Sequence, residues 1–419
     1  MVTYRDISIR GVDYMALLEL NISQKICEHA AATLKLLVDS ARGQEFVSHA
    51  TERTMIQIVI RGTNVFSGAL SDARLSVTDE GMILILKIRS LSILLDSTCK
   101  KRSFQEIGIT HAALMQKILD GAGSIIPNFQ DKPTEGIVIQ YQETDWNLIR
   151  RLALGLNSFV TPCIHSSSPV ICIGVAQSTH PYFDQAGCMV GNEIIFEAHC
   201  ELKGGRLISK CKKVPLADLA GYFPASYKAN PVVGKVFAGV VMAVRDDAIQ
   251  AHITDIDSAY EAGNWWFPYS TIYSSPANGA GIYCMPLEGE AVRLFFPSAN
   301  PAEAFAAGSV NQRDKGPTTK DKVFTSPEGM GVMFYEGGLV LYDKDRVLFI
   351  NLSEEGGITI HSNENIACIA KDNFFVKAAG SLSVISDKEV YMGAKGSFIE
   401  LNADNGGSID FHSADIYVV

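Results

Sequence analysis

Residues 350–398 read INLSEEGG-ITIHSNEN-IACIAKDN-FFVKAAGS-LSVISDKE-VYMGAKGS-F, six octads and the first residue of a seventh. Ile350, Ile358, Ile366, Phe374, Leu382, Val390 and Phe398 open successive octads, and Leu352, Ile360, Cys368, Val376, Val384 and Met392 stand two places on. All of these repeat positions are apolar. With 47% of the chain hydrophobic, chance would produce that in roughly one register in twenty thousand. Turn formers separate the pairs: Ser362-Asn363-Glu364-Asn365, Lys371-Asp372-Asn373, Gly380-Ser381, Ser386-Asp387-Lys388 and Gly396-Ser397. Residues i and i+2 of a strand face the same way, so each octad reads as a short strand plus a turn, and together they carry one apolar stripe. A single ribbon with two apolar residues per strand cannot bury that stripe. Further copies of the chain or another sheet must cover it, and pairing between copies would also close strand edges that otherwise invite aggregation. The competing reading is an ordinary antiparallel meander on one face of a globular domain, although meander loops normally vary in length.

Upstream of the repeat, residues 311–325 read as a polar linker broken at Gly316-Pro317. Residues 231–310 predict a small all-β unit, with strands at 235–244, 249–254, 281–285, 291–296 and 305–310. Five strands in that length match an OB-type barrel. Residues 1–230 mix strands (17–26, 32–38, 55–60, 82–88, 168–175, 193–200 and 206–212) with two helices. One helix starts at Thr110 as N-cap and closes at Gly121, and the other starts at Asp145 as N-cap and closes at Gly155. The irregular alternation points to α+β subdomains rather than a doubly wound sheet. The expected fold is therefore mainly β with some α: a barrel-like hub (1–230), an OB-fold neck (231–310), a linker (311–325) and a β-helical needle (326–419).

Composition limits what such a chain does. Its 36 basic and 46 acidic residues give a net charge of -10, the wrong sign for nucleic acid or an anionic membrane as main partner. No run of 18 uncharged apolar residues occurs; the strongest window, 82–95, is broken by Lys87 and Arg89. The opening Met1-Val2-Thr3-Tyr4-Arg5-Asp6 lacks the order of a secretory signal, and the 9 cysteines are scattered without C-x-x-C spacing. These features predict core thiols in a reducing compartment and assembly in the cytoplasm.

Two segments carry a resemblance. Tyr141-Gln142-Glu143-Thr144-Asp145-Trp146-Asn147-Leu148-Ile149-Arg150-Arg151-Leu152-Ala153 resembles the Y-x-E-[ST]-D-W-x-[FL]-[IL]-x-R-L-A segment of VgrG-type spikes, the hub-and-spike proteins of type VI secretion systems, contractile phage tails and phage-tail-like particles. Met285-Pro286-Leu287-Glu288-Gly289-Glu290-Ala291-Val292-Arg293-Leu294, followed by Ala307-Gly308-Ser309-Val310, is similar to that family's OB-fold segment. The octads favour an oligomer; the resemblance implies that it is a homotrimer. It also implies a hub adapting to the tail tube and baseplate, and a triple-stranded, intertwined β-helix as the needle crossing a target membrane mechanically. A small conical PAAR-like tip protein is implied at the C-terminal face, where Tyr417, Val418 and Val419 would make the contact. Tyr141, Glu143, Asp145, Trp146, Arg151 and Leu152 are the residues matched in the helix segment. Unlike some relatives, the chain has no room between barrel and needle for a lysozyme domain, and lone His412 does not make an H-x-H metal tip.

The sequence offers no candidate catalytic, metal or cofactor residues. No G-x-S-x-G, P-loop, H-E-x-x-H or dinucleotide fingerprint occurs. Glu143 and Asp145 could suggest paired carboxylates, but helix capping accounts for Asp145. Trp265-Trp266-Phe267 could stack bases. Residues 231–310, however, carry three basic residues (Lys235, Arg245, Arg293) against eight acidic ones, net -5, so burial at a barrel core or subunit contact is preferred. A structural spike is therefore expected. A cell-wall hydrolase or a carbohydrate-binding adhesin on the same scaffold is the alternative.

Overall fold

The computed structural model describes residues 2–79, 81–178, 180–257, 263–275, 280–308, 320–394, 397–402 and 408–412. The chain divides into two compact units, Met1–Asn311 and Gln312–Val419, and is mostly β.

In the first unit, an antiparallel sheet of nine strands runs in the order Ile7–Arg10, Met55–Ile60, Thr63–Thr78, Gly81–Ser90, Ala31–Val38, Ala16–Lys25, Glu193–Lys203 and Met189–Val190, with Arg206–Pro215 also on Glu193–Lys203. Alternation builds it. Ala32, Leu34, Leu36 and Val38 turn inward, and Leu34 and Leu36 stand opposite Leu86 and Leu84. The sheet curls until its ends nearly meet, because Leu207 N donates to Val2 O at 3.0 Å and Thr3 bridges Arg206. Such near-closure leaves little open edge.

A second core lies under helices α2 (His111–Leu119) and α3 (Asp145–Gly155), which follow α1 (Ser40–His49) in the chain. Trp146, Leu148, Ile149, Leu114, Met115 and Ile118 pack there with Ile171 and Ile173. The latter belong to a three-stranded sheet of Val160–Pro162, Val170–Gly174 and Ser124–Asn128. The third core fills a five-stranded barrel ordered Trp266–Pro268, Ala248–His252, Lys235–Arg245, Ala291–Phe296, Phe305–Ala307. Ser270 N donates to Ala306 O at 2.7 Å and Tyr269 bridges Ala306, so the first and last strands meet. This is an OB-type closure of five strands, in which Trp266–Pro268 takes the place of the strand expected at 281–285.

Several sequence expectations need correction. Thr144, not Asp145, caps α3: its backbone is extended and its hydroxyl accepts from Asn147 N at 3.2 Å. Of the strand expected at 281–285, only Ala280–Gly281 pairs, with Ser274–Ser275. Pro286 has no N–H to give a ladder, and 282–285 offers no alternating buried face. Thr63–Thr78 carries no strand period through its length, because its second half is polar and exposed. Helix α1 is masked in the sequence by Gly43, which lowers helix propensity; a Cβ there would lie 2.8 Å from Val38 and 3.0 Å from Leu75, so close packing requires the glycine. Most of the 311–325 linker, residues Ser309 and Val310, and Tyr417, Val418 and Val419 lie outside the described residues.

The second unit opens with five antiparallel strands in sequence order: Lys322–Thr325, Gly331–Tyr335, Gly338–Tyr342, Phe349–Ser353 and Gly357–His361. Glu389–Ala394, Ser397–Asn402 and Ser408–His412 make a three-stranded sheet. Between them, residues 362–388 form no strands within the single chain. The octads there, expected as strand plus turn, find no neighbouring strand among the described residues for their backbone groups.

Candidate functional site

The segment 137–155 is a seam between two cores. Lys100–Phe104 pairs with Val138–Glu143 in a two-stranded ribbon. Alternation sends Ile137, Ile139 and Tyr141 to the barrel core, while Val138 packs with the helical core. Tyr141 meets Phe237 edge-on at 5.1 Å, and the ammonium groups of Lys101 and Lys235 each lie 5.5 Å from its ring. Across the same seam, the Asp257 carboxylate accepts from Ser103 N and Ser103 Oγ, both at 2.7 Å.

Asp145 is buried at the first turn of α3 and is fully engaged. Lys100 Nζ and an Arg102 guanidinium nitrogen each lie 2.6 Å from it, and Gln140 Nε2 donates at 3.0 Å. Arg102 also donates to Gln140 Oε1 at 2.8 Å and to Ile118 O at 3.0 Å, tying the ribbon to α2. Glu143 is held by Arg151, which donates further to Ile139 O at 3.1 Å. Neither carboxylate faces the other across an open cleft, as a glycosidase pair must. Leu152 packs against the helical core.

Trp146 is buried with its ring 4.2 Å from that of His29. His29 in turn meets Ser92 Oγ at 2.8 Å and Asp96 at 3.1 Å. Burial alone would raise the Asp96 carboxyl, but hydrogen bonds from His29 and Thr144 outweigh it and hold the group below its ordinary range. Arg150 lies over the Tyr227 ring at 3.7 Å and donates to Asn147 Oδ1 at 2.6 Å. The matched residues thus work as a latch. Sequence reading missed their partners Lys100, Arg102, Gln140, His29 and Asp96; only the basic run Lys100-Lys101-Arg102 could have hinted at them.

Of the aromatic cluster, Phe267 is buried in the barrel, and Trp266 lies under the Arg245 guanidinium at 4.3 Å. Trp265 packs against the barrel core. None of the three makes an open stacking platform.

In the second unit, cross-strand register gathers the start of the octad stripe on one sheet face. Val332 stands opposite Leu341, Leu341 opposite Ile350 and Ile350 opposite Ile360. Phe334, Leu339, Leu352 and Ile358 form the neighbouring row, and Phe324 stands opposite Val332. Among the described residues nothing covers this face: Ile358 is 72% exposed. Ile366, Phe374, Val376, Leu382, Val384 and Met392 are likewise exposed, as are Ile360, Leu352 and Cys368. Val390 is half-buried, and the side chain of Phe398 lies outside the described residues. A bare apolar face of this extent marks an interaction site.

No family model matches the chain, and no curated protein matches it. Solved structures do. An Escherichia coli protein, c3393, described as a component of the type VI secretion system with structural similarity to the T4 bacteriophage tail proteins gp27 and gp5, aligns with a TM-score of 0.51 at 11% identity, over 73% of this chain and 99% of that one. The Francisella PdpA–VgrG complex aligns with a TM-score of 0.51 at 8% identity, over 85% and 79%. A tail protein from Neisseria meningitidis MC58 aligns over 45% of this chain and 58% of its own, at 15% identity and a TM-score of 0.32. With its near-closed sheet and small barrel, the chain shares its fold with these two structures: it has a VgrG-like spike fold.

Proposed function

We propose that the chain is the structural hub and membrane-piercing spike of a contractile injection machine, working as a homotrimer that joins an inner tube and baseplate to a puncturing tip. The observation that carries this reading is the uncovered apolar face running from Phe324 into the octads, in a chain whose fold is VgrG-like. Three intertwined copies would bury that stripe and supply the missing strand partners of residues 362–388. The type VI role stated for the E. coli protein supports the same reading. In this role the spike needs rigidity, not an active site, since sheath contraction supplies the work. Residues 1–230 would adapt to the tube and baseplate, and assembly would take place in the cytoplasm. A PAAR-like tip protein would bind the C-terminal face through Tyr417, Val418 and Val419.

Light scattering tests the central claim. The purified protein should have a mass of about three times 45.5 kDa, and a stable monomer at micromolar concentration would overturn it. Lysis of peptidoglycan by the same sample would instead support a hydrolase. Truncation after Gly407 should abolish tip-protein binding and leave the trimer intact; unchanged binding would remove Tyr417, Val418 and Val419 from the contact.

A further inference from the structure

A cavity of about 250 Å³ lies in the first unit beside the three-stranded sheet, walled in part by Gln24, Thr161, Cys163, His165, Cys172 and Gln185. One water needs only about 10–15 Å³, and a cavity of about 150 Å³ holds benzene, so this one has room for roughly ten non-hydrogen atoms. Thr161 stands opposite Cys172 in the strand register, and Cys163 lies two residues on, its N donating to Val170 O at 2.9 Å.

The polar groups of the wall are unevenly satisfied. Asn128 Nδ2 is committed to Cys172 Sγ at 3.3 Å and Val175 O at 2.9 Å. Gln185 Nε2 meets His180 Nε2 at 2.7 Å. Thr161, only 3% exposed, has a buried hydroxyl with no hydrogen-bond partner. Leaving such a group unpaired costs about 1–3 kcal/mol. Gly187 packs tightly beside it, since a Cβ there would lie 2.7 Å from Thr161 Oγ1.

Among the described residues no Asp, Glu, Lys or Arg lines the wall. Burial pushes His165 below its ordinary value, so its imidazole is neutral at pH 7. Burial also raises Cys163 and takes Cys172 to about 11. Both thiols are protonated at pH 7, present soft apolar surface and react only slowly as nucleophiles.

We propose that this cavity is a binding site for a small uncharged molecule with an apolar body and one hydrogen-bonding head group, the head seated against Thr161 and the body against Cys163, Cys172 and Ile164. A charged ligand of the same shape is rejected, because its charge would be buried without a partner.

The test uses two isosteric probes, benzamide and benzoate, on the full-length protein, followed by ligand-observed NMR and by the rate of Cys163 alkylation with iodoacetamide, resolved peptide by peptide. Benzamide should bind saturably, one per chain, and slow alkylation of Cys163, while benzoate should do neither. Thr161→Val should weaken benzamide binding about tenfold at an unchanged melting temperature. Should that variant misfold, Thr161→Ser, which keeps the hydroxyl, should bind like the wild type. Failure of benzamide to bind, equal binding of benzoate, or full binding by a folded Thr161→Val would each overturn the proposal.

Discussion

A carboxylate that accepts from Lys100, Arg102 and Gln140 at once is committed to holding elements together. Asp145→Ala should therefore lower stability. Removing one partner of a buried ion pair costs about 3–5 kcal/mol, but Lys100 and Arg102 keep part of their solvent, so about 2 kcal/mol is expected in urea unfolding. Thr144→Ala removes the cap of α3 and a bond to Asp96, for about 1 kcal/mol or somewhat more. His180 sets a pH dependence. Burial, helped by nearby His165, lowers its value from 6.5 to about 4, so between those values the unfolded chain binds more protons than the folded one. Stability is full above pH 6.5 and falls as pH drops toward 4, by about 3 kcal/mol at most. His180→Gln should flatten that slope in urea titrations at pH 7 and pH 4.5; an unchanged slope would assign it to other groups. Asp6 acts in a lower window. Its bonds to Arg61 and Thr3 bring it from 3.8 to about 2, so its contribution is present above 3.8 and disappears only as pH falls toward 2. Asp145 was legible in sequence as a helix-start residue, but the cap is its neighbour. A one-residue shift of this kind depends on backbone dihedrals and on where Lys100 sits, neither of which local spacing encodes.

At the scale of elements, strict periods were legible and mixed ones were not. Ala31–Val38 announces itself because every second residue is buried, the octads because their apolar spacing repeats, and α2 and α3 through their caps and apolar faces. Thr63–Thr78 changes environment halfway along, from buried to exposed, so no single period describes it. Ribbon Val138–Glu143 serves two cores, one on each side, and its polar Gln140 is buried; a sequence pattern cannot say that both faces are inside. The octad face yields an assembly prediction. Ile366→Asp, Val376→Asp or Val384→Asp would place one unpaired charge from each copy near a dry axis. Each should block formation of the oligomer in light scattering, and wild-type mass with wild-type heat resistance would show that the inward face lies elsewhere.

For the whole molecule, the division at residue 311 suggests a separable test of polarity. If residues 1–230 adapt to the tube, a chain truncated after residue 310 should still pull down tube or baseplate protein, and binding carried by residues 312–419 alone would reverse that orientation. By itself the sequence determined the repeat, the mainly β class, the existence of a small barrel and the acidic charge, because each is written in periodicity or composition within a short window. It also determined that the apolar stripe has no cover in its own ribbon. Only the tertiary structure decided that Leu207 returns to Val2 and nearly closes the large sheet, and that Tyr269 reaches Ala306 and closes the small one. It alone placed Lys100 and Arg102 on Asp145 and left the Thr161 hydroxyl unpaired beside a cavity. Those contacts join residues tens to hundreds of positions apart, and their energies depend on distances of a few ångströms that arise only once the cores have packed.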